Sequence, residues 1–272
     1  TDSGIGVVSA MPLTVRLLTT VRDGTPRSRR RTAGCGLTAS DVLLRRRDRS
    51  VSANSGAPET GVSVMYLFNR SRVARPDTLP SALAWAVDIA GRASSVAGIQ
   101  VSTWMSMLSQ EGGTIVWSAG FDTLSDWEAA FGKLAADADY GAAVAGGGEL
   151  FTGSVADGLL NVISGMPSEP TDYAYVTAVH ATAANGQIGA AMQQGVALAA
   201  AATATGGLNT VFGAEVTGQY GGVRWLTGAP SIAAMEESMH AINGDPSFLA
   251  LVDAGGAVYQ PNATQALFRR IS

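Results

Sequence analysis

The residues that build most recognisable sites are scarce in this chain. Cys35 is its only cysteine, Lys133 its only lysine, and His180 and His240 are its only histidines. A single cysteine excludes an intrachain disulfide and any multi-cysteine metal site, so nothing calls for an oxidising compartment and a cytoplasmic location is the expectation. The histidines stand in no spacing that would put two metal ligands on one helix face. The phosphate-cradling G-x-x-x-x-G-K-[ST] loop, the G-x-S-x-G elbow and a strand-linked G-x-G-x-x-G are all missing. Long apolar runs are missing too: "GVALAAAATATGG" (195–207) falls short of the roughly 18 apolar residues of a spanning helix. No membrane partner is expected.

Charge is sparse and unevenly placed. Residues 1–60 carry ten arginines against five acids, whereas 61–272 are net acidic. An acidic body lacks the Lys/Arg surface that neutralises a phosphate backbone, so no nucleic-acid partner is expected. The first sixty residues show no sustained helical or alternating period, and Gly, Pro and Ser break their charge clusters. That composition reads as a disordered tail or a non-native upstream extension, with Val51 a plausible native start. "SRRR" and "TAGC" are not export or lipoprotein signals, because no apolar stretch accompanies either.

What the chain does have is a repeat. "TLSDWEAAFGKLAADADY" (123–140) is echoed by "SIAAMEESMHAINGDPSF" (231–248) without a gap, and the offset of 108 continues outward. It pairs Thr123 with Ser231, Trp127 with Met235, Asp137 with Asp245, Trp117 with Trp225, Trp104 with Phe212 and Phe151 with Tyr259. Each copy reads strand, helix, strand, strand, helix, strand. Thr123 with Asp126 three residues on is a capping-box pattern that opens a helix, and Leu124, Trp127, Phe131 and Leu134 form its apolar stripe. Pro80 and Gly98 mark the two ends of the preceding helix, and "AGGG" (145–148) reads as a helix end and turn.

A βαββαβ order is the ferredoxin-like split unit. The expected fold is therefore α+β: two tandem ferredoxin-like units, 61–166 and 171–272, whose sheets pack as an intrachain α/β barrel. The segment running from a small or aromatic residue through Thr/Ser-Leu/Ile and Trp/Met-Glu to Asp and Tyr/Phe resembles the dimeric α/β-barrel superfamily, and within it NIPSNAP-like and small monooxygenase-like proteins. The resemblance implies a small-molecule-binding protein, with cofactor-free oxygenation or haem use as the enzymatic options. No cofactor is required by the residues themselves, and no family catalytic set maps onto the chain. A non-catalytic structural or interaction module is the other reading, and the chain could be a monomer or a homodimer.

Function is expected where the copies differ. A hairpin closing around "QEGG" sets Met107 opposite Val116 and, by the offset, Glu215 opposite Arg224. An acid and an arginine then replace an apolar pair on the face between the sheets, a natural pocket for a small apolar or aromatic molecule. His180, read as the counterpart of Arg72, could serve as axial ligand or general base. Trp104 is assigned with Ile115 and Trp117 to the helix side. Asn69, Arg70, Tyr173 and Tyr175 are candidates for a barrel mouth, and His240 is expected to pair with Glu236 four residues before it.

Overall fold

The computed structural model describes residues 65–167 and 171–272; the expectations for residues 1–60 lie outside them. The first half runs β1 (Met65–Ala74), α1 (Leu79–Ala97), β2 (Ser102–Leu108), β3 (Thr114–Phe121), α2 (Leu124–Ala136), α3 (Ala138–Ala145) and β4 (Phe151–Ser164). The second runs β5 (Tyr175–Thr182), α4 (Ile188–Gly206), β6 (Thr210–Glu215), β7 (Gly222–Ala229), α5 (Ile232–Gly244), α6 (Pro246–Gly255) and β8 (Thr264–Arg270).

The helix ends follow from local chemistry. Thr123 Oγ1 accepts from Asp126 N and Ser231 Oγ accepts from Ala234 N, so both halves start the helix after the hairpin with a side-chain cap. Gly98 ends α1 in the left-handed region. The aspartate–aromatic signature is more than a helix stop. Asp137 and Asp245 each cap a further short helix, accepting from Tyr140 N in α3 and from Ser247 N and Phe248 N in α6.

All eight strands join one closed antiparallel barrel in the order β1-β3-β2-β8-β5-β7-β6-β4, with β4 pairing back onto β1. Each half contributes four adjacent strands, and the seams are the β2–β8 and β4–β6 ladders. The two sheets are hydrogen-bonded edge to edge rather than only stacked. Closure leaves no free edge among the described strands for a second copy to extend.

Strand alternation then sorts side chains into two sets, inside the ring or under the helices. Trp117 Nε1 donates to Ala86 O of α1, and Trp225 Nε1 to Gly195 O of α4, at 3.0 and 2.9 Å. These indoles fix the helix side, where Ile115 and Phe151 pack in one half and Phe212 and Val223 in the other. The facing helix stripes are mostly alanine, Ala82, Ala86 and Ala90 in α1 and Ala191, Ala199 and Ala202 in α4, which lets the helices lie close to the sheet.

The hairpin registers differ from those expected. Trp104 stands opposite Val116, and Gly213, not Glu215, stands opposite Arg224. The turns after β2 and β6 are wider than a closure on "QEGG" requires, with Gly113, Gly218 and Gly221 at positive φ. In addition, Thr103 faces Trp117 while Phe212 faces Trp225, so the second hairpin is one residue shorter and the offset of 108 fails across β2. A one-residue slip turns every side chain over. Trp104 therefore lies inside the ring, not with Ile115 and Trp117.

Gly195 shows how tight the helix–sheet contact is, since a Cβ there would sit 2.1 Å from the ring of Phe212, which is fully buried. Gly195→Ala should lower unfolding free energy by about 1–3 kcal/mol. Gly91→Ala in α1, where a Cβ meets nothing within 4 Å, should raise it by about 0.5–1 kcal/mol. Urea unfolding of the two variants reads these opposite signs.

Candidate functional site

The interior of the ring gathers four of the six expected residues from four strands. Arg224 of β7 donates from Nε to Glu215 Oε1 of β6 at 2.8 Å, and its Nη2 forms an ion pair with the same oxygen at 2.7 Å. Its Nη1 reaches Asn69 Oδ1 of β1 at 3.4 Å. His180 of β5, directly opposite Arg224 in the ladder, places Nε2 3.5 Å from Glu215 Oε1, an ion-pair contact outside hydrogen-bond geometry. Glu215 is the deep member, 7% exposed, beneath His180 at 29% and Arg224 at 32%. Glycine makes room for the group: a Cβ at Gly222 would be 2.3 Å from Glu215 Oε2, and one at Gly158 2.9 Å from Asn69 Oδ1.

Burial alone would raise the Glu215 pKa, but His180 and Arg224 outweigh it and hold the carboxyl below its ordinary value. In the first half the equivalent ladder places hold Ser106, Val116 and Ser71. Ser71, not Arg72, is thus the counterpart of His180. An eight-stranded barrel has an interior that side chains fill, and this cluster is a polar plug in it.

The other two expected residues stand apart. Trp104 also points into the ring, but its Nε1 donates to Ser118 Oγ at 2.9 Å and its ring lies beneath Arg270. Tyr175 shares its face with Val179 and Ala181, which pack toward α4, so it is on the helix side and not with His180. Asn69 and Arg70 likewise face opposite ways as strand neighbours. His240 is exposed and forms no ion pair with Glu236 among the described residues.

Two cavities lie on the helix side of the first half, neither of them between the sheets. A smaller one of about 100 Å³ is walled by Phe68, Trp85, Trp117 and Phe131, with Arg70, Arg72 and Tyr140 among its polar members. An open cleft of about 400 Å³ adjoins it, lined by Phe68, Leu124, Trp127, Asp157, Val216 and Thr217. Arg70 is tied bidentately to Asp157, at 2.7 Å for each bond.

Arg72 is different. Its guanidinium stacks on Phe151 at 4.3 Å, has no acidic or hydrogen-bond partner among the described residues, and buries an unbonded Nε. Burial and the charge of Arg70 lower its pKa, yet a guanidinium stays protonated. It stands where the β1–β4 register breaks between Ser71 and Val73, and such bulges re-aim side chains. Tyr140 keeps its phenolic proton, because burial raises its pKa more than Arg70 lowers it.

Placing Asn69 and Arg70 at a barrel mouth ends the first strand before Arg72 and leaves this site out, whereas β1 runs on to Ala74. Period-two alternation continued through "FNRSR" places Phe68, Arg70 and Arg72 on one face, so the signal was present.

No protein-family model and no curated protein matches the chain. Solved structures do. A candidate monooxygenase from Fusobacterium nucleatum subsp. nucleatum superposes with a TM-score of 0.59 at 8% identity, covering 78% of this chain and 94% of its own. A candidate monooxygenase from Lactobacillus acidophilus gives 0.56 at 8%, covering 77% and 95%. An anthrone oxidase-like protein gives 0.55 at 12%, covering 78% and 93%. The chain shares its α+β barrel fold with these proteins. Among the described residues no helix is long and apolar enough to cross a membrane, and no cluster of three or more metal-ligating side chains occurs.

Two outcomes test the interior plug. Arg224→Leu strands a carboxylate that is 7% exposed and should cost about 2–3 kcal/mol of stability in urea unfolding. Because the folded-state pKa of Glu215 is lowered, its contribution is full above the ordinary carboxylate range and is lost as pH falls through the lowered value. The stability gap between wild type and Glu215→Gln should therefore close on acidification; a gap constant with pH would contradict this.

Proposed function

We propose that the chain binds an aromatic oxyanion, a phenolate or enolate, in the helix-side cavity of its first half, and that it is a cofactor-free, monooxygenase-like enzyme. The observation that carries this reading is Arg72, a partly buried cation in an aromatic-walled cavity, with a buried, unbonded Nε and no acidic partner among the described residues. Desolvating a charge without a partner costs stability, and an anionic ligand would offset that cost. Phe68, Trp85, Trp117 and Phe131 supply flat apolar walls for rings.

The same arrangement suits oxygenation without a cofactor. Reaction with O₂ needs an electron-rich carbanion, which forms when a ring CH₂ conjugated with a carbonyl loses a proton to solvent. A fixed guanidinium at the oxygen stabilises that enolate, and protonated Tyr140 can donate to the same oxygen. The balanced outcome is a CH₂ and O₂ giving a C=O and water, with the substrate as the only reductant. The fold shared with monooxygenases and an anthrone oxidase-like protein supports this class; the site's residues supply the chemistry.

Haem does not fit the described residues. Neither histidine lines either of these two cavities, and His180 Nε2 is buried against Glu215. The repeated element order and strand order support an internal duplication in which one residue was lost from the second hairpin and only the first half kept the site. One chain closes the barrel alone, so a homodimer is not needed to complete it.

Anthrone added to the purified protein without cofactor should consume one O₂ per molecule and yield anthraquinone. Arg72→Leu should lower kcat/KM at least 100-fold with the fold intact by circular dichroism. An unchanged rate would refute the assignment.

A further inference from the structure

Alone, the smaller cavity does not hold a ring compound. It offers about 100 Å³, whereas about 150 Å³ is what a cavity needed to take up benzene. A multi-ring ligand at Arg72 must therefore extend beyond it, and Phe68 is the side chain that lines both this cavity and the 400 Å³ cleft. Phe68 touches Phe131 of the smaller cavity at 4.9 Å and Trp127 of the cleft at 6.4 Å, and those two rings lie 4.9 Å from each other. Arg70 and Asp157 span the same divide, Arg70 lining the cavity and Asp157 the cleft. Nothing of this kind closes the far wall, where Trp85 is pinned through Nε1 to Ala143 O.

Within the partition lies a second unsatisfied donor. Trp127 Nε1 is buried and bonded to nothing. Buried donors without partners are rare enough to need a reason. Arg72 lines the smaller cavity and Trp127 the cleft, so each of the two cavities that share Phe68 has one unused N–H group.

We infer that the two cavities are lobes of one site divided by Phe68, and that its ligand is a planar multi-ring compound with an oxyanion at Arg72 and a second, neutral acceptor oxygen at Trp127 Nε1. The distal oxygen is neutral because Asp157 and Glu128 line that lobe and make it unfavourable for a second anion. Phe68 is then the residue that sets ligand length, and Trp127 a specificity contact for the distal oxygen. The inference rests on the oxyanion reading of Arg72.

Fluorescence titration of the full chain with 2-hydroxyanthraquinone, which carries ring carbonyls, and with 2-anthrol, which lacks them, tests it. Trp127→Phe keeps a ring in the wall but deletes the N–H, and should weaken the hydroxyanthraquinone about 5- to 10-fold while leaving 2-anthrol unchanged. Phe68→Ala should tighten both ligands about 10-fold, and Arg72→Leu should abolish both. Equal effects of Trp127→Phe on the two ligands, or no gain from Phe68→Ala with Arg72→Leu still abolishing binding, would overturn the two-lobe site alone. Retained binding in Arg72→Leu, or no binding to wild type, would overturn the oxyanion reading itself.

Discussion

Closure of the ring is the constraint on which everything else depends. With β2 sealed to β8 and β4 to β6, a strand side chain has two destinations, the interior or the helix layer. An open sheet would tolerate a polar residue at an edge; this ring does not. Charged residues on the strands must find partners inside, as Glu215, Arg224, His180 and Asn69 do, or beneath helices, as Arg70 does with Asp157. Arg72 and the exposed Arg269 of β8 have no such partner among the described residues, and of the two it is Arg72 that lines an aromatic-walled cavity.

The two halves meet this constraint differently. On the helix side the second half is filled by Phe212 at the place where the first half has the small Thr103, and Gly195 lets that ring reach the backbone of α4. Inside the ring the roles reverse: the second half supplies the charged plug, and the first supplies Ser71, Ser106 and Val116. The polar cluster thus sits where its own half has a solid outer layer, and the cavities sit where the interior is plain. Glu215 is best understood as a residue that holds the ring together across β5, β6 and β7.

Periodicity made the fold legible. Thr123 and Ser231 as caps, Pro80 and Gly98 as helix limits, and the strand–helix alternation all depend on near neighbours, and all appear where the pattern puts them. The interior cluster was legible for a different reason, because a two-residue error in the β6–β7 register leaves faces unchanged and Glu215 still meets Arg224. Trp104 was misplaced by an odd slip, which no local pattern reveals. Tyr175 failed on parity alone: five residues before His180, it had to face the other way.

The helix-side site was harder to see, since its walls come from β1, β3, α1, α2 and α3, and only tertiary packing brings Phe68, Phe131 and Trp127 together. Even so, its decisive member could have been read locally. An arginine two residues from another arginine on a strand face carrying phenylalanine needs two anions or one anion and a ligand. The chain supplies one, Asp157 for Arg70, and across the break in the β4 ladder the residues nearest Arg72 are Gly153 and Val155 rather than an acid. A carboxylate in that stretch would have made Arg72 another structural ion pair; its absence leaves the cation facing rings, the environment in which an aromatic oxyanion gains most from it.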